Sequence, residues 1–552
     1  MSKTKIPLQN MTSHEDIEDE QEKNVINIPA PPDGGYGWVI VVASFVCNMV
    51  VDGICYTFGI FLFEIIQYYN ASKGKTAWVG SILTGTYLII GPLVSALCNK
   101  FGCRAVCVAG SIISTVAFAL SIFSPTVNWL MFTYGFLGGF GFGLIYLPAV
   151  VCVGYYFESK RSLATGIAVC GSGAGTFAFA PLATVLLDRY GWKGANLILA
   201  GIIFNCAIFG ALMRPLEYTK KDSESHTKLL TTSISSGTAT SFKDVRKRND
   251  FTHHEKETDG ESLQFASKSS LASKKSTSRT NRTIQPMARK DVFYSGSIEH
   301  LAEYQSQKSL ASYRQSVLSI PRAEHDNISG NKCLPNMDQI CDLSLLKNVV
   351  FLLIGISNFF AMAGLYVPFT YLVDCAKSKG IDGNSASFLI SIMGITNTIA
   401  RIICGYITDL PQVDALFVNN ICLVIGTLSI AAIPFCNAYS AYVGVAIFFA
   451  IAVAGFISLS SIILVDLVGL DKLTNAFGLL TFYRGAAALI GTPLAGTLYD
   501  MTQSYELPFF VAASLFGLAA ITSFTAPLLK RTSHKKIETN DVLTPINEEN
   551  EV

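Results

Sequence analysis

The 552-residue sequence predicts an all-α membrane protein with two sets of six spanning helices, and three observations carry that prediction. Half of the residues are hydrophobic and only 15% are charged, against roughly 25% charged in an ordinary soluble domain. Apolar runs long enough to cross a hydrocarbon core roughly 30 Å thick, about 20 residues each, recur twelve times. They fall in two groups of six around a long polar stretch, the pattern of membrane proteins built from two repeated halves.

Taken in order, the predicted spans are 38–63, 77–98, 104–123, 127–156, 163–187 and 194–213, then 347–373, 385–408, 414–436, 440–466, 474–499 and 506–529. The expected organisation is a disordered tail over 1–32, a six-helix half over 33–213, a linker over 214–346, a second half over 347–529 and a tail over 530–552. The linker is rich in Ser, Thr, Lys and Glu, as in SKSSLASKKSTSRTNRT, and such a composition cannot sustain a packed core. It is expected to be mostly disordered and dispensable for the work of the spans. An even number of spans puts both termini on one side. Arg214, Lys220, Lys221, Lys347, Lys530, Arg531, Lys535 and Lys536, close to span ends, make that side cytoplasmic by the positive-inside rule.

Several function classes are excluded early. Net charge is +1 with no dominant basic block, so nucleic acid is not an expected partner. The fourteen cysteines are scattered, mostly in apolar runs, without metal-ligand spacing, and read as reduced small hydrophobes. No metal and no cofactor is expected. All seven histidines lie in the tails or linker (His14, His226, His253, His254, His300, His325, His534), so none can relay protons within a span. A membrane-embedded enzyme would want a histidine, paired carboxylates or a nucleophile elbow near the membrane, and the spans show none. GFLGGFGFG (Gly135–Gly143) has the glycines of a dinucleotide fingerprint but follows no strand; close helix packing in lipid explains it.

The informative residues are charges inside spans. Arg401 sits in the apolar run GITNTIARIICGYITD, and an arginine near the bilayer centre costs about 2.5 kcal/mol or more on insertion scales, so it calls for a pathway or a partner. Asn397, four positions earlier, shares its helix face. Asp52 lies about 21 Å into the first span at 1.5 Å per residue, and Arg484 near mid-depth in the eleventh. Asp52 and Arg484 either pair with each other or line the same cavity as Arg401. The guanidinium fork of Arg401 is suited to a carboxylate.

Two segments flank the spans in a recognisable way. Before the first span stands DGGYGW, with Asp33, Gly34, Gly35, Gly37 and Trp38; Asp33 is expected to cap the first helix and Trp38 to sit at headgroup depth. Opening the fifth span stands YFESKRSLATG, with Tyr156, Phe157, Lys160, Arg161, Leu163, Ala164 and Gly166; Lys160 and Arg161 are expected to hold this loop at the cytoplasmic face. Together these segments resemble the signature pair of the monocarboxylate transporter family. GPLVSALCNKFGCR and RIICGYITD, each at the end of a second span, loosely resemble the loop motif of the major facilitator superfamily, with Asn99 near where an aspartate is usual. The linker stretch RKDVFYSGSIEHLAEYQ resembles linkers of the branch holding monocarboxylate transporters 9, 12 and 14.

The resemblance implies the major facilitator fold, plasma-membrane residence and alternating-access transport, with the lipid bilayer and a small organic substrate as partners; an ancillary membrane glycoprotein is not indicated. In the family's proton-coupled lactate carriers, a lysine stands in the first span and an aspartate four residues before the arginine of the eighth. Here those positions hold Tyr56 and Asn397, while the arginine is kept as Arg401. An amide does not titrate, and a tyrosine with an ordinary pKa of about 10 is a poor substitute for a coupling lysine. The expected substrate-binding set is therefore Arg401, Asn397, Tyr56, Asp52 and Arg484. The expected function is secondary transport of a small organic carboxylate or zwitterion without proton coupling. Carnitine and creatine, substrates in the resembled branch, are of the zwitterionic type. The alternatives are a proton-linked lactate or pyruvate symporter and a non-transporting membrane sensor.

Overall fold

The computed structural model describes residues 31–215, 289–307, 310–317, 343–408 and 413–543. The first half contains α1 (Tyr36–Tyr69), α2 (Lys73–Ile89), α3 (Gly91–Ser121), α4 (Val127–Leu130), a π-helical stretch Met131–Leu137, α5 (Gly138–Tyr156), α6 (Arg161–Phe204) and α7 (Cys206–Leu212). Two short helices follow, α8 (Ala302–Gln307) and α9 (Leu310–Val317). The second half contains α10 (Val349–Ser378), α11 (Gly383–Thr408), α12 (Ala415–Ala432), α13 (Tyr439–Ser458), α14 (Ser460–Val468), α15 (Leu473–Thr502) and α16 (Glu506–Leu543).

Two of these helices turn back on themselves. Gly102 (φ 81°) within α3 and Gly191 (φ 62°) within α6 adopt left-handed backbone, open to glycine because it has no Cβ. So α3 holds the end of the second pass and the third, and α6 the fifth and the start of the sixth. Among the described residues, nine helical runs are long and apolar enough to cross a membrane by length and composition. One of these, Arg161–Leu212, makes two passes, and α2 and the less apolar α15 supply the remaining two of twelve. The two six-helix halves expected from hydropathy are present. Helix α16 runs on to Leu543, beyond the expected end at 529, through residues such as Lys530, Lys535 and Lys536 that favour helix.

The described residues belong to one compact unit. Within it the halves meet where α2 lies along α15, α6 along α11 and α1 against α10. At the face remote from the linker the contact is tight: a Cβ on Gly59 of α1 would stand 2.5 Å from the Thr370 carbonyl oxygen of α10. There the Asp500 carboxylate of α15 accepts from the Lys73 and Gly74 backbone N–H groups (3.1 and 2.8 Å), satisfying the free donors at the start of α2. The Lys73 ammonium pairs with Asp374 of α10 and lies 3.7 Å over the Tyr499 ring, while the Tyr505 hydroxyl donates to Asp374.

The linker departs from expectation over one stretch. Residues 289–307 and 310–317 are packed against the bundle, with Asp291, Val292, Phe293, Tyr294, Ile298, Leu301, Tyr313 and Val317 all buried. The apolar run Val292–Tyr294 inside an otherwise polar tract supplies the surface that packs. Residues 1–30 of the expected tail over 1–32, linker residues 216–288, 308–309 and 318–342, and Asp409 in the second loop motif lie outside the described residues.

Candidate functional site

At mid-bundle the intramembrane charges converge. Arg401 and Asn397 are one helical turn apart on α11, and the sequence-predicted shared face is realised as a hydrogen bond: Arg401 Nε donates to Asn397 Oδ1 at 2.7 Å. Asn397 Nδ2 donates to the Ala450 carbonyl of α13 at 3.3 Å, which fixes the amide and through it the guanidinium. Arg401 Nη1 donates across to the Val169 carbonyl of α6 in the other half, at 3.3 Å. Among the described residues its Nη2 has no acceptor and no carboxylate lies within ion-pair distance. The residue is only 7% exposed. A buried guanidinium bonded to neutral acceptors on one edge, with a donor left over, is arranged to receive an anion.

Asp52 of α1 is buried, and its one hydrogen bond among the described residues comes from the Tyr87 hydroxyl of α2 at 3.4 Å. Among the described residues it forms no ion pair with Arg484, whose donors go to Asn358 and Ser460, so the expected alternative of an Asp52–Arg484 pair is not what the structure shows. Arg484 of α15 donates through Nε and Nη2 to Asn358 Oδ1 (2.9 and 2.8 Å), contacts the Ser460 hydroxyl, and lies 5.1 Å over the Phe456 ring. It is a buried cation held wholly by neutral groups. Beside it a cavity of about 10 Å³, lined by Asn358, Asn419, Ser460 and Ser523, has room for about one water.

Tyr56 of α1 reaches the interface between the halves. Its ring stacks on Tyr366 (5.8 Å, 25° between planes) and lies 4.5 Å from Phe369, both on α10. Tyr87 and Tyr146 pack edge to face at 5.6 Å on the first-half side. Among the described residues the buried Tyr366 hydroxyl has no hydrogen-bond partner of good geometry, a cost that buried polar groups normally avoid. Tyr87, Tyr146, Tyr366, Asn358 and Ser460 were not legible as site residues in the sequence. They are neutral, and a tyrosine or serine in a span carries no signal comparable to a lone arginine. The centre thus presents two guanidiniums, one carboxylate and a rim of phenols.

The paired motifs lie elsewhere, at the linker face, and bind each other. Asp33 does not cap α1, whose first turn has Gly35 as its cap and no side-chain acceptor. Instead Asp33 Oδ1 accepts from the Glu158 backbone N–H at 2.6 Å, and the Asp33 N–H donates to the Tyr156 carbonyl at 3.3 Å, so the acid closes a long-range turn. Trp38 packs edge to face on Phe157 (5.1 Å), and the Tyr156 hydroxyl donates to the Arg214 carbonyl at 2.8 Å. Gly37 lies against the Phe157 ring, Gly34 and Gly35 form the bend before α1, and Ala164 is buried while Leu163 and Gly166 face outward. Lys160 is exposed, as a loop cation at a membrane surface should be. Arg161 is not: its side chain is fully buried, donating from Nε to the Phe157 carbonyl (3.0 Å), from Nη2 to the Gly154 carbonyl (2.9 Å) and from Nη1 to Asp291 Oδ2 (2.6 Å). It is enclosed because a linker carboxylate comes to it.

Twelve passes in two halves, with charges gathered between them at mid-depth, define a secondary transporter. The sequence profile of the Major Facilitator Superfamily matches residues 43–265 and 353–548, and the chain belongs to that superfamily. It is similar to human monocarboxylate transporter 14, 29% identical over 537 residues that cover 94% of this chain and 97% of that one. It is also similar to human monocarboxylate transporter 7 (28% identical, covering 89% and 86%) and to Xenopus laevis monocarboxylate transporter 12 (27% identical, covering 91% and 92%). The resemblance read from DGGYGW and YFESKRSLATG is thus shown along nearly the whole chain.

Proposed function

We propose that this transporter moves a small organic carboxylate or zwitterion across the plasma membrane by alternating access, without coupling to protons. The observation that carries the reading is the state of Arg401: buried between the halves, oriented by Asn397, bonded to Val169 across the interface, and with one guanidinium nitrogen uncommitted. A carboxylate entering the centre would complete that donor set. Asp52, bonded only to a tyrosine hydroxyl, supports a second contact for a cationic group, and Arg484, satisfied within its own half, leaves Asp52 available for it. The amide at Asn397 and the phenol at Tyr56 support the absence of proton coupling, because neither replaces a titrating acid or lysine.

Uptake of a panel of labelled carboxylates (lactate, pyruvate) and zwitterions (carnitine, creatine) into vesicles holding the reconstituted protein tests the reading. Flux of at least one panel member is expected. Binding without flux would favour the sensor, and several-fold acid stimulation abolished by a protonophore would favour the proton-linked symporter.

A further inference from the structure

The packed part of the linker occupies a position that the transport reading does not use. Its ends are joined by a hydrogen bond from the Lys290 N–H to the Val317 carbonyl at 3.1 Å, so residues 290–317 form a closed loop. One side of the loop holds the first half. Asp291 meets Arg161, with both side chains 0% exposed; Arg289 donates to the same carboxylate from Nε and Nη2 (3.0 and 2.9 Å), and Tyr313 adds its hydroxyl at 3.2 Å. Arg314 Nε donates to Glu158 Oε2 at 2.8 Å. The Val292 carbonyl comes so close to Gly154 of α5 that any Cβ there would overlap it. The other side holds the second half. Lys290 Nζ meets Asp471 Oδ1 at 2.6 Å, the Ser295 and Ser461 hydroxyls share a hydrogen bond at 2.6 Å, and Phe293 stacks on Phe477 of α15 at 4.8 Å with 13° between planes.

We propose that the linker face carries a peptide-binding cleft formed by the ends of α5 and α6 in one half and α14 and α15 in the other. Its occupant is this chain's own segment Arg289–Val317, which keeps the central cavity closed toward that face until it lets go. The inference rests on the alternating-access reading in one respect: rocking the halves apart at this face separates Arg161 from Asp471, and a segment bonded to both cannot remain so. The two sets of contacts are unequal. Those to the first half include a buried, charge-assisted cluster; those to the second include an ion pair whose Asp471 is 78% exposed and screened by water, a hydroxyl pair and a ring stack. The segment therefore releases the second half and stays on the first, acting as an autoinhibitory latch.

Cys170 gives a readout that needs no substrate. It lies on α6 between the halves, about 14 Å in from Arg161 at 1.5 Å per residue, is buried, and its thiol contacts the Thr398 carbonyl of α11. In sealed vesicles with the linker face outward, a membrane-impermeant maleimide is applied and labelling of Cys170 in the full-length protein is followed by peptide mass spectrometry. Lys290→Glu, which sets a carboxylate against Asp471, and Phe293→Ala are each expected to speed labelling by about fivefold or more. Combining Lys290→Glu with Asp471→Lys restores the pair in reverse and is expected to bring the rate back to within about twofold of the parent. Rates for both single variants indistinguishable from the parent would overturn the latch, as would failure of the reversed pair to restore it. Because no substrate enters the experiment, its failure leaves the carboxylate reading standing, and a failed uptake panel leaves the latch standing.

Discussion

Arg401 and Arg161 are both buried arginines of one chain, and they are buried in opposite ways. Arg161 is saturated: carbonyls of Phe157 and Gly154 and the Asp291 carboxylate take its donors, and the side chain is fully enclosed. Arg401 is oriented but left incomplete, with an amide on one edge, a single carbonyl across the interface and a nitrogen to spare. The first is the chemistry of a clamp between segments. The second is the chemistry of a site awaiting a ligand. Arg484 lies between them, satisfied by neutral groups in its own half. Burial of an arginine alone therefore does not identify a binding residue; the count of donors left over does.

The sharpest way to break this contrast is to remove the saturated arginine. Arg161→Ala leaves the Asp291 carboxylate with Arg289 and Tyr313 but strands three backbone carbonyls, of Gly154, Phe157 and Asp291, and breaking one partner of a buried pair costs about 3 kcal/mol or more. A marked loss of folded protein in thermal unfolding is expected, whereas Arg401→Lys should unfold like the parent. If Arg161→Ala unfolds at the parental temperature, the clamp is not structural. Arg401→Lys keeps the charge but loses the planar fork, and carboxylate uptake at equal surface density should fall by at least about tenfold; parental uptake would assign Arg401 to helix packing.

Asp52→Asn should lower uptake of a zwitterion several-fold more than that of a plain carboxylate, since only the former places a cation beside it. Equal losses would show that Asp52 serves the fold. The smallest expected effect is that of pH. Burial pushes the Asp291 carboxyl up, but the Arg161 and Arg289 guanidiniums outweigh it and hold the carboxyl down at about 2. A depressed folded-state value means that the acid contributes its stabilisation, about 2 kcal/mol, at pH above the ordinary carboxylate range near 4 and loses it only as pH falls toward 2. Docking of the segment, followed by the hydrogen-exchange protection of residues 289–317 after division by the intrinsic, pH-dependent exchange rate, should thus be unchanged between pH 7.5 and 5.5. A several-fold loss of that protection over the window would mean that a different group governs docking.

Much of the architecture was legible because lipid imposes strong rules. A run of apolar residues must span, and a polar tract cannot, so twelve passes in two halves follow from hydropathy, and the i, i+4 spacing of Asn397 and Arg401 follows from helix geometry. Asp33 was misread because a capping acid and an acid that closes a turn with Glu158, 125 residues away, look the same in sequence. Tyr366 and Tyr87 were invisible as site residues because aromatic side chains in spans serve packing as readily as recognition. Asp291 was hidden in a tract whose average composition is that of an unfolded segment; Val292–Tyr294, three apolar residues in a row, was the local departure from that average.

The buried pair between Arg161 and Asp291 also sets how the linker face responds to competitors. Asp291 reaches Arg161 from within the same chain, so a competitor for Arg161 faces an effective concentration of the resident carboxylate, of order millimolar for a short connection and falling with the length of the intervening chain. A soluble peptide copying residues 289–317 would have to exceed that concentration to take the cleft from the resident segment. Insertions or deletions between Pro215 and Arg289 would by the same arithmetic retune how readily such a peptide displaces the resident segment.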